Sequence, residues 1–297
     1  MTGRFAPTPT SDLHVGNLRT ALVAWLAARA SGSDFLIRVE DLDVTRLRDA
    51  EAITARQLSD IATLGLDHDG DIVRQSRRFG LYERALAGLK TYECFCSRKD
   101  VAEATMAPHG ATPFYPGTCR DLTPAQRARK RETRVPCLRV DAGAAKTSIT
   151  DLLHGEVSGV VDDFVVRRAD GVFAYNLAVV VDDQEQGIDQ VLRGDDLLES
   201  APRQAWLATQ LGYTPPTYLH VPLVLAPDGT RLAKRDNAAG LSRLLERGLA
   251  VPAIVGILAA SLGLAKTGEE LDARDLVERF DPKALPHQAW LTDPDSW

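Results

Sequence analysis

No apolar run in this chain of 297 residues reaches the roughly 18 to 20 residues that a membrane-spanning helix needs. The opening residues, Met1-Thr2-Gly3-Arg4-Phe5, lack the basic segment and apolar stretch of a secretory leader, so a cytoplasmic protein is expected. Cysteine is scarce: Cys94, Cys96, Cys119 and Cys137 are the whole complement. In a large chain without a secretion signal they point to thiols or a metal rather than disulfides. Positive charge is not in surplus either. Lys and Arg total 35 against 41 Asp and Glu, a net charge of -6, which excludes coating nucleic acid through an overall field but leaves room for a local basic patch. Internal repeats and low-complexity segments are absent. What is present is ordinary for a globular chain: 44% hydrophobic and 26% charged residues, enough for one large domain or two moderate ones.

The N-terminal third has a readable order. Gly3 to Pro7 reads as a short strand running into a Pro-Thr-Pro loop. Leu18, Leu22, Trp25 and Leu26 recur at helical spacing, and that helix stops near Ser31-Gly32. Asp34 to Val39 follows as a strand and runs into Glu40-Asp41-Leu42-Asp43. This is a βαβ unit, which implies a parallel sheet with its site at the carboxyl ends of the strands. His14-Val15-Gly16-Asn17 then lies at the crossover helix N-terminus. Residues 49–65 and 77–89 read as further helices. An irregular stretch follows, holding three cysteines and the basic run Arg127, Arg129, Lys130, Arg131 and Arg134, either a phosphate-contacting patch or a solvated helix face. Strand-like segments come at Val135 to Val140 and Asp163 to Arg168, with Asp170-Gly171 as a tight hairpin turn. The apolar run Leu177 to Val181 reads as a buried parallel strand. Beyond about residue 238 the pattern turns helical.

Two short segments carry phosphate chemistry. A Gly at a strand-to-helix junction lets a phosphate approach free N–H groups and the positive helix end, where the His14 imidazole can donate. By itself this triplet does not distinguish a phosphate site from an incidental loop histidine. Arg231-Leu232-Ala233-Lys234-Arg235, after the turn Pro227-Asp228-Gly229, can clamp triphosphate oxygens, or be a solvated basic turn.

Together, His-Val-Gly-Asn and Leu-Ala-Lys-Arg resemble the paired signatures of class I aminoacyl-tRNA synthetases. The stretches Arg4 to Thr10, Arg38 to Asp43, Tyr175 to Asp183 and Val191 to Leu198 resemble the glutamyl branch of that family, in the right order from residue 3 to about 240. The resemblance implies an α/β fold: a Rossmann-like catalytic domain over 1–90 and 174–237, split by a zinc-containing insertion over 91–173, then a C-terminal helical subdomain over 238–297. It implies a glutamate pocket lined by Arg4, Phe5, Ala6, Pro7, Thr8, Glu40, Tyr175 and Arg193. Arg193 would hold the side-chain carboxylate with Arg4 close by, and Glu40 would pair with the α-ammonium. His14 and Gly16 would cradle ATP and Lys234 would hold its phosphates, with Mg²⁺ accompanying the ATP rather than held by the protein. The substrate carboxylate is already ionised, so no general base is needed. Cys94, Cys96, Tyr115 and Cys119 would hold one structural Zn²⁺; chemistry alone would have suggested Cys137 as the fourth ligand, or a buried thiol there.

No anticodon-binding domain is expected from the length, which resembles the truncated branch that attaches glutamate to the queuosine base of tRNA(Asp). A monomer with glutamate, ATP and that tRNA as partners is the expectation. The rival readings are a short glutamyl-tRNA synthetase charging a 3′ end, a non-catalytic RNA-binding paralogue, and a nucleotidyl-transfer enzyme that uses no RNA. Three positions depart from the pattern: Asn17, Ala233, and Asn176 beside Tyr175.

Overall fold

The structure, a computed structural model, describes residues 2–43, 49–105, 114–232 and 240–297. The elements are β1 (Gly3–Phe5), α1 (Val15–Ala30), β2 (Phe35–Val39), α2 (Ala50–Thr63), β3 (Val73–Arg74), α3 (Phe79–Ala87), β4 (Thr91–Cys94), α4 (Arg98–Thr105), α5 (Pro124–Arg131), β5 (Cys137–Val140), β6 (Ala145–Asp151), β7 (Gly155–Val161), β8 (Val165–Arg167), α6 (Tyr175–Glu185), β9 (Gln190–Gly194), α7 (Ala201–Gln210), β10 (Thr217–Val221), β11 (Val224–Leu225), α8 (Leu241–Glu246), α9 (Val251–Ser261) and β12 (Trp290–Leu291).

The main sheet has seven strands in the order β3-β2-β1-β9-β10-β6-β7. All neighbours in it are parallel except the edge hairpin β6–β7. From β1 the chain crosses to β2 on one side, and β9 lies on the other. The order therefore reverses between β1 and β9, and a crevice opens there at the carboxyl ends of the strands. Strand β1 is buried along its whole length, as a central parallel strand should be.

Helix α1 is the crossover between β1 and β2. Eleven of its sixteen residues are buried, Trp25 and Leu26 among them. It ends where Ser31 caps it and Gly32 takes a φ of +64°, which only glycine adopts at no steric cost.

The run Leu177 to Val181 is not a strand; it is the middle of α6. Every residue from Leu177 to Asp183 is buried, so these two turns of the helix show no solvent-facing stripe. A helix buried all round and a buried parallel strand give the same unbroken apolar pattern, and five residues cannot separate them. The Asp170-Gly171 turn does form, with Arg168 N–H donating to the Val172 carbonyl at 2.8 Å. Beyond it Phe173 bridges back to Arg167 and the Ala174 N–H donates to the Val166 carbonyl at 3.0 Å before α6 begins.

The region 91–173 is also less separate than expected. Strands β4, β5 and β8 make their own three-stranded antiparallel sheet, but the hairpin β6–β7 joins the edge of the main sheet through Asp151 and Tyr218. The C-terminal helices α8 and α9 share one core with α1 and β1. Arg19, fully buried on α1, ties them further: it donates to the Ser261 hydroxyl at 2.9 Å and to the Pro222 carbonyl at 2.8 Å. At Gly256 a Cβ would lie 1.7 Å from the Glu269 carbonyl, so only glycine permits this approach. Among the described residues no helix is long and apolar enough to cross a membrane.

Candidate active site

The implied substrate residues in the described parts of the chain converge on one cavity of about 920 Å³ at the carboxyl ends of β1, β2 and β9. Arg4, Phe5, Ala6, Pro7 and Thr8 arrive from β1 and the loop after it; Glu40 follows β2; Arg193 sits near the end of β9; Tyr175 opens α6. His14 and Gly16 line the other half of the same cavity. Lys234 and Ala233 lie outside the described residues, although Leu232, just before them, lines the cavity, and Gly240 pairs with His14. A second cavity, of about 1060 Å³, shares Thr8, Thr10, Glu40 and Tyr175 with the first and runs on to Cys96, Tyr115 and Cys137.

The basic groups of the pocket differ in their partners. Arg4 is buried; its Nε donates to Asp183 at 3.1 Å and its Nη1 to the Leu192 carbonyl at 3.0 Å. Arg38 beneath it holds Asp183 at 2.7 Å and Glu40 at 3.2 Å. Burial alone would lower the Arg38 pKa, but Asp183, Glu40 and Asp182 together hold it above the ordinary range. Burial would likewise raise Asp183, yet Arg4 and Arg38 keep it below the ordinary carboxylate range. Glu40 goes the other way: burial dominates and raises it, against the opposing pull of Arg38 and Arg4.

Arg193 is the exception. It is buried, and among the described residues every group it contacts is neutral: His220 Nε2 at 2.9 Å, Gln204 Oε1 at 2.7 Å, the Leu197 carbonyl at 3.3 Å, Ser200 Oγ at 3.4 Å and the Tyr175 hydroxyl at 3.5 Å. Its terminal nitrogens thus carry long contacts on the cavity side that a carboxylate can replace with shorter, charge-assisted ones.

His14 is the N-cap of α1. Its Nδ1 accepts from the backbone N–H of Gly16 at 3.0 Å and of Asn17 at 3.3 Å, while Asn17 Oδ1 accepts from the His14 N–H at 3.2 Å. That reciprocal pair is a capping box, so the departure at Asn17 has a local role. Because Nδ1 accepts, the ring proton resides on Nε2, which makes the imidazole a donor for phosphate oxygens. The glycine has a physical reason too: a Cβ on Gly16 would sit 2.8 Å from His14 Cε1. The space over Gly16 is filled by the His14 ring rather than kept clear for a phosphate.

Cys94, Cys96 and Cys119 bring their three sulfurs within 4.8 Å of one another. Cys96 and Cys119 Sγ are 3.7 Å apart, against about 3.8 Å for two sulfurs at tetrahedral corners around a zinc-sized ion with bonds of about 2.3 Å. The Tyr115 hydroxyl lies beside them, 3.2 Å from Cys94 Sγ and 3.9 Å from Cys96 Sγ. Cys137 lies opposite Cys94 across β4–β5, half-buried, and its thiol donates to the Cys94 carbonyl. The cluster fits a metal ion, and the sulfur-rich donor set suits a soft or borderline one. Burial pushes the Cys96 thiol up to about 12.

Of the basic run, Arg127 bonds the Leu122 and Arg120 carbonyls, Arg131 grips both oxygens of Glu93, and Arg134 holds the Phe95 carbonyl and Asp100. These three fasten α5 to the cysteine-bearing region. Arg129 and Lys130 stand exposed on the outer face.

Sequence reasoning missed Asp183, Gln204, His220 and Asp151. The available signals were the acidic pair Asp182-Asp183 closing an apolar run and a lone histidine inside the apolar strand Tyr218 to Val221.

Residues 1–295 match the model of the catalytic domain of the class I tRNA synthetases (E and Q). The chain belongs to that family and is thus a ligase of an ATP-using synthetase type. Its relatives are more specific. It is 52% identical to the glutamyl-Q tRNA(Asp) synthetase of Nocardia farcinica, over 98% of this chain and 93% of that protein. It is 47% identical to the protein of the same name from Deinococcus radiodurans, over 93% and 95%. It is also 40% identical to a glutamate–tRNA ligase of Oleidesulfovibrio alaskensis, covering 98% of this chain but 63% of that protein. A crystal structure of a glutamate tRNA ligase from Elizabethkingia meningosepticum shares the fold, with a TM-score of 0.80 at 24% identity, over 99% of this chain and 67% of that one.

Proposed function

We propose that this chain activates glutamate with ATP, without RNA, and transfers it to the queuosine base in the anticodon loop of tRNA(Asp). The observation that carries the glutamate half is Arg193, a buried cation whose contacts among the described residues are all neutral, in one cavity with Glu40. A buried charge of that kind calls for an anion. Glutamate supplies a side-chain carboxylate for Arg193 and an ammonium for Glu40, while Phe5, Ala6, Pro7, Thr8 and Tyr175 wall the pocket and Arg4 adds positive potential. The α-carboxylate attacks the α-phosphorus of ATP, its P–O bond to the β-phosphate breaks, and pyrophosphate leaves. His14 donates from Nε2 to a phosphate oxygen, Gly16 leaves room for that ring, and Lys234 neutralises charge growing on the phosphates. Mg²⁺ would accompany the ATP and help to neutralise its phosphates. The acceptor half rests on the relatives: two at about half identity carry the glutamyl-Q tRNA(Asp) name. The second cavity, which shares Glu40 and Tyr175 with the first, offers a route by which an acceptor nucleotide reaches the adenylate. The same reading makes the chain a cytoplasmic monomer, with catalytic residues from 1–90 and 174–237 and a zinc-binding insertion within 91–173.

Glutamate should support exchange of pyrophosphate into ATP without RNA, and labelled glutamate should load on tRNA(Asp) from a queuosine-making host and not on tRNA from a queuosine-deficient one. Equal loading on both would instead favour a synthetase charging a 3′ end.

Zn²⁺ is the metal proposed for Cys94, Cys96, Tyr115 and Cys119; when bound it would tie the loop at Cys119 to β4. Cys119→Ser should lower zinc per chain by more than half, as elemental analysis reads, and Cys137→Ser should leave it unchanged. Equal retention by both variants would reject the ligand set.

Because burial raises Glu40, its carboxylate is protonated as pH falls at a higher pH than the roughly 4.3 of an ordinary glutamate. Only the ionised form pairs with an ammonium, so kcat/KM for glutamate should fall on the acid side through that pKa. Glu40→Gln should lower kcat/KM at neutral pH and remove this limb from the pH profile of pyrophosphate exchange.

A further inference from the structure

Arg193 and His220 are register partners on the adjacent parallel strands β9 and β10, so their side chains emerge side by side. His220 is fully buried. Its Nε2 lies 2.9 Å from Arg193 Nε, and its Nδ1 lies 2.7 Å from Asp151 Oδ2. Arg193 Nε always carries a hydrogen, so Nε2 must be the acceptor. The ring proton then belongs on Nδ1, pointing at Asp151. A doubly protonated ring would set N–H against N–H beside a buried cation, and burial already lowers the His220 pKa.

Asp151 is itself held rigidly. Its Oδ1 accepts from the backbone N–H of Leu153 and of His154, both at 2.9 Å, and its Oδ2 accepts from the His220 N–H at 3.0 Å as well as from the ring. It stands at the end of β6, in the hairpin that joins the main sheet edge. A chain of three residues thus runs from that hairpin to the cavity.

We propose that His220, fixed in its Nδ1–H tautomer by Asp151, is a positioning residue that holds the Arg193 guanidinium toward the substrate carboxylate without neutralising its charge. This rests on the glutamate-activation reading above. The chemistry explains why the partner is an imidazole. A carboxylate directly on Arg193 Nε would cancel the charge the ligand has to meet, whereas a neutral acceptor orients the fork and leaves its charge for the substrate. Gln204, oriented by Asn176 Oδ1 at 2.9 Å, does the same at Arg193 Nη1, so the second side of the fork is also held by a neutral acceptor. The role is orientation, so its loss should appear in glutamate recognition and not in ATP recognition.

The test is pyrophosphate exchange by the full chain, with KM measured separately for glutamate and for ATP. His220→Asn keeps a donor for Asp151 but is too short to accept from Arg193. It should raise KM for glutamate about tenfold or more, the loss of one orienting hydrogen bond, and leave KM for ATP within about twofold. His220→Gln places an amide oxygen near the lost Nε2 and should recover most of the glutamate KM. If His220→Asn does not fold, as judged by its melting transition, Asp151→Asn makes the same test. Its amide donates to Nδ1, forces the proton to Nε2 against the Arg193 N–H, and should raise KM for glutamate alone. An unchanged glutamate KM, a parallel rise in both KM values, or equal damage by the Asn and Gln variants at 220 would overturn the proposal. Absence of glutamate-dependent exchange by the unsubstituted protein would instead overturn the activation reading itself.

Discussion

Arg193→Met should lower kcat/KM for glutamate in pyrophosphate exchange by about 10² to 10⁴, while moving the melting temperature by no more than about 5 °C. The activity loss follows from what the substrate meets. With Arg193 gone, the side-chain carboxylate enters a buried site with no partner, and stripping one member from a buried ion pair costs about 3–5 kcal/mol. The small stability change follows from what Arg193 lacks. Its contacts among the described residues are all neutral, so no opposite charge offsets its burial and its removal relieves a desolvation cost. Against that stand the acceptors on His220 and Gln204, which lose their donor at about 1–3 kcal/mol each. The two effects oppose each other. Glutamine should be a poor substrate for the same reason, because a neutral amide does not compensate the guanidinium. A variant that unfolds as readily as it loses activity would show Arg193 to be a structural cation.

Gly16→Ala should reduce pyrophosphate exchange by about 10² or more, through KM for ATP and kcat together, and leave glutamate binding measured by calorimetry nearly unchanged. The added methyl would meet the His14 ring at 2.8 Å. No real Cβ contact is that close, so the imidazole must turn away from its cap. Alanine is otherwise the better helix residue, so the backbone of α1 gains what it loses at the cap, about 1 kcal/mol in each direction. Stability is therefore nearly level while the phosphate donor is misplaced by an ångström or more. If exchange by the variant matches the original, His14 has no role in ATP recognition.

Several elements were readable because a local rule governs them. The crossover helix announces itself through apolar residues at helical spacing and a glycine stop at Gly32. The strands β1 and β2 follow from short apolar segments leading into loops. The motif residues Arg4, Glu40, His14, Gly16, Tyr175 and Arg193 could be named because each stands in a distinctive short string. The α6 run was misread because burial on all sides erases periodicity, and the β6–β7 hairpin was not read at all, because nothing local says which sheet an edge strand will join.

The order of elements, the α/β class and the residue types of a glutamate and ATP site are set by the chain itself, through periodicity, turn residues and short motifs. The partners are not. Arg4 and Arg193 look alike in the sequence, yet Arg4 is paired with Asp183, 179 positions away, and Arg193 meets neutral groups. Which buried arginine keeps its charge for a ligand depends on where α6, α7, β6 and β10 pack around β9. Only the tertiary structure brings Asp151, Gln204 and His220 to that point, because electrostatic partnership acts through space and leaves no spacing rule along the chain.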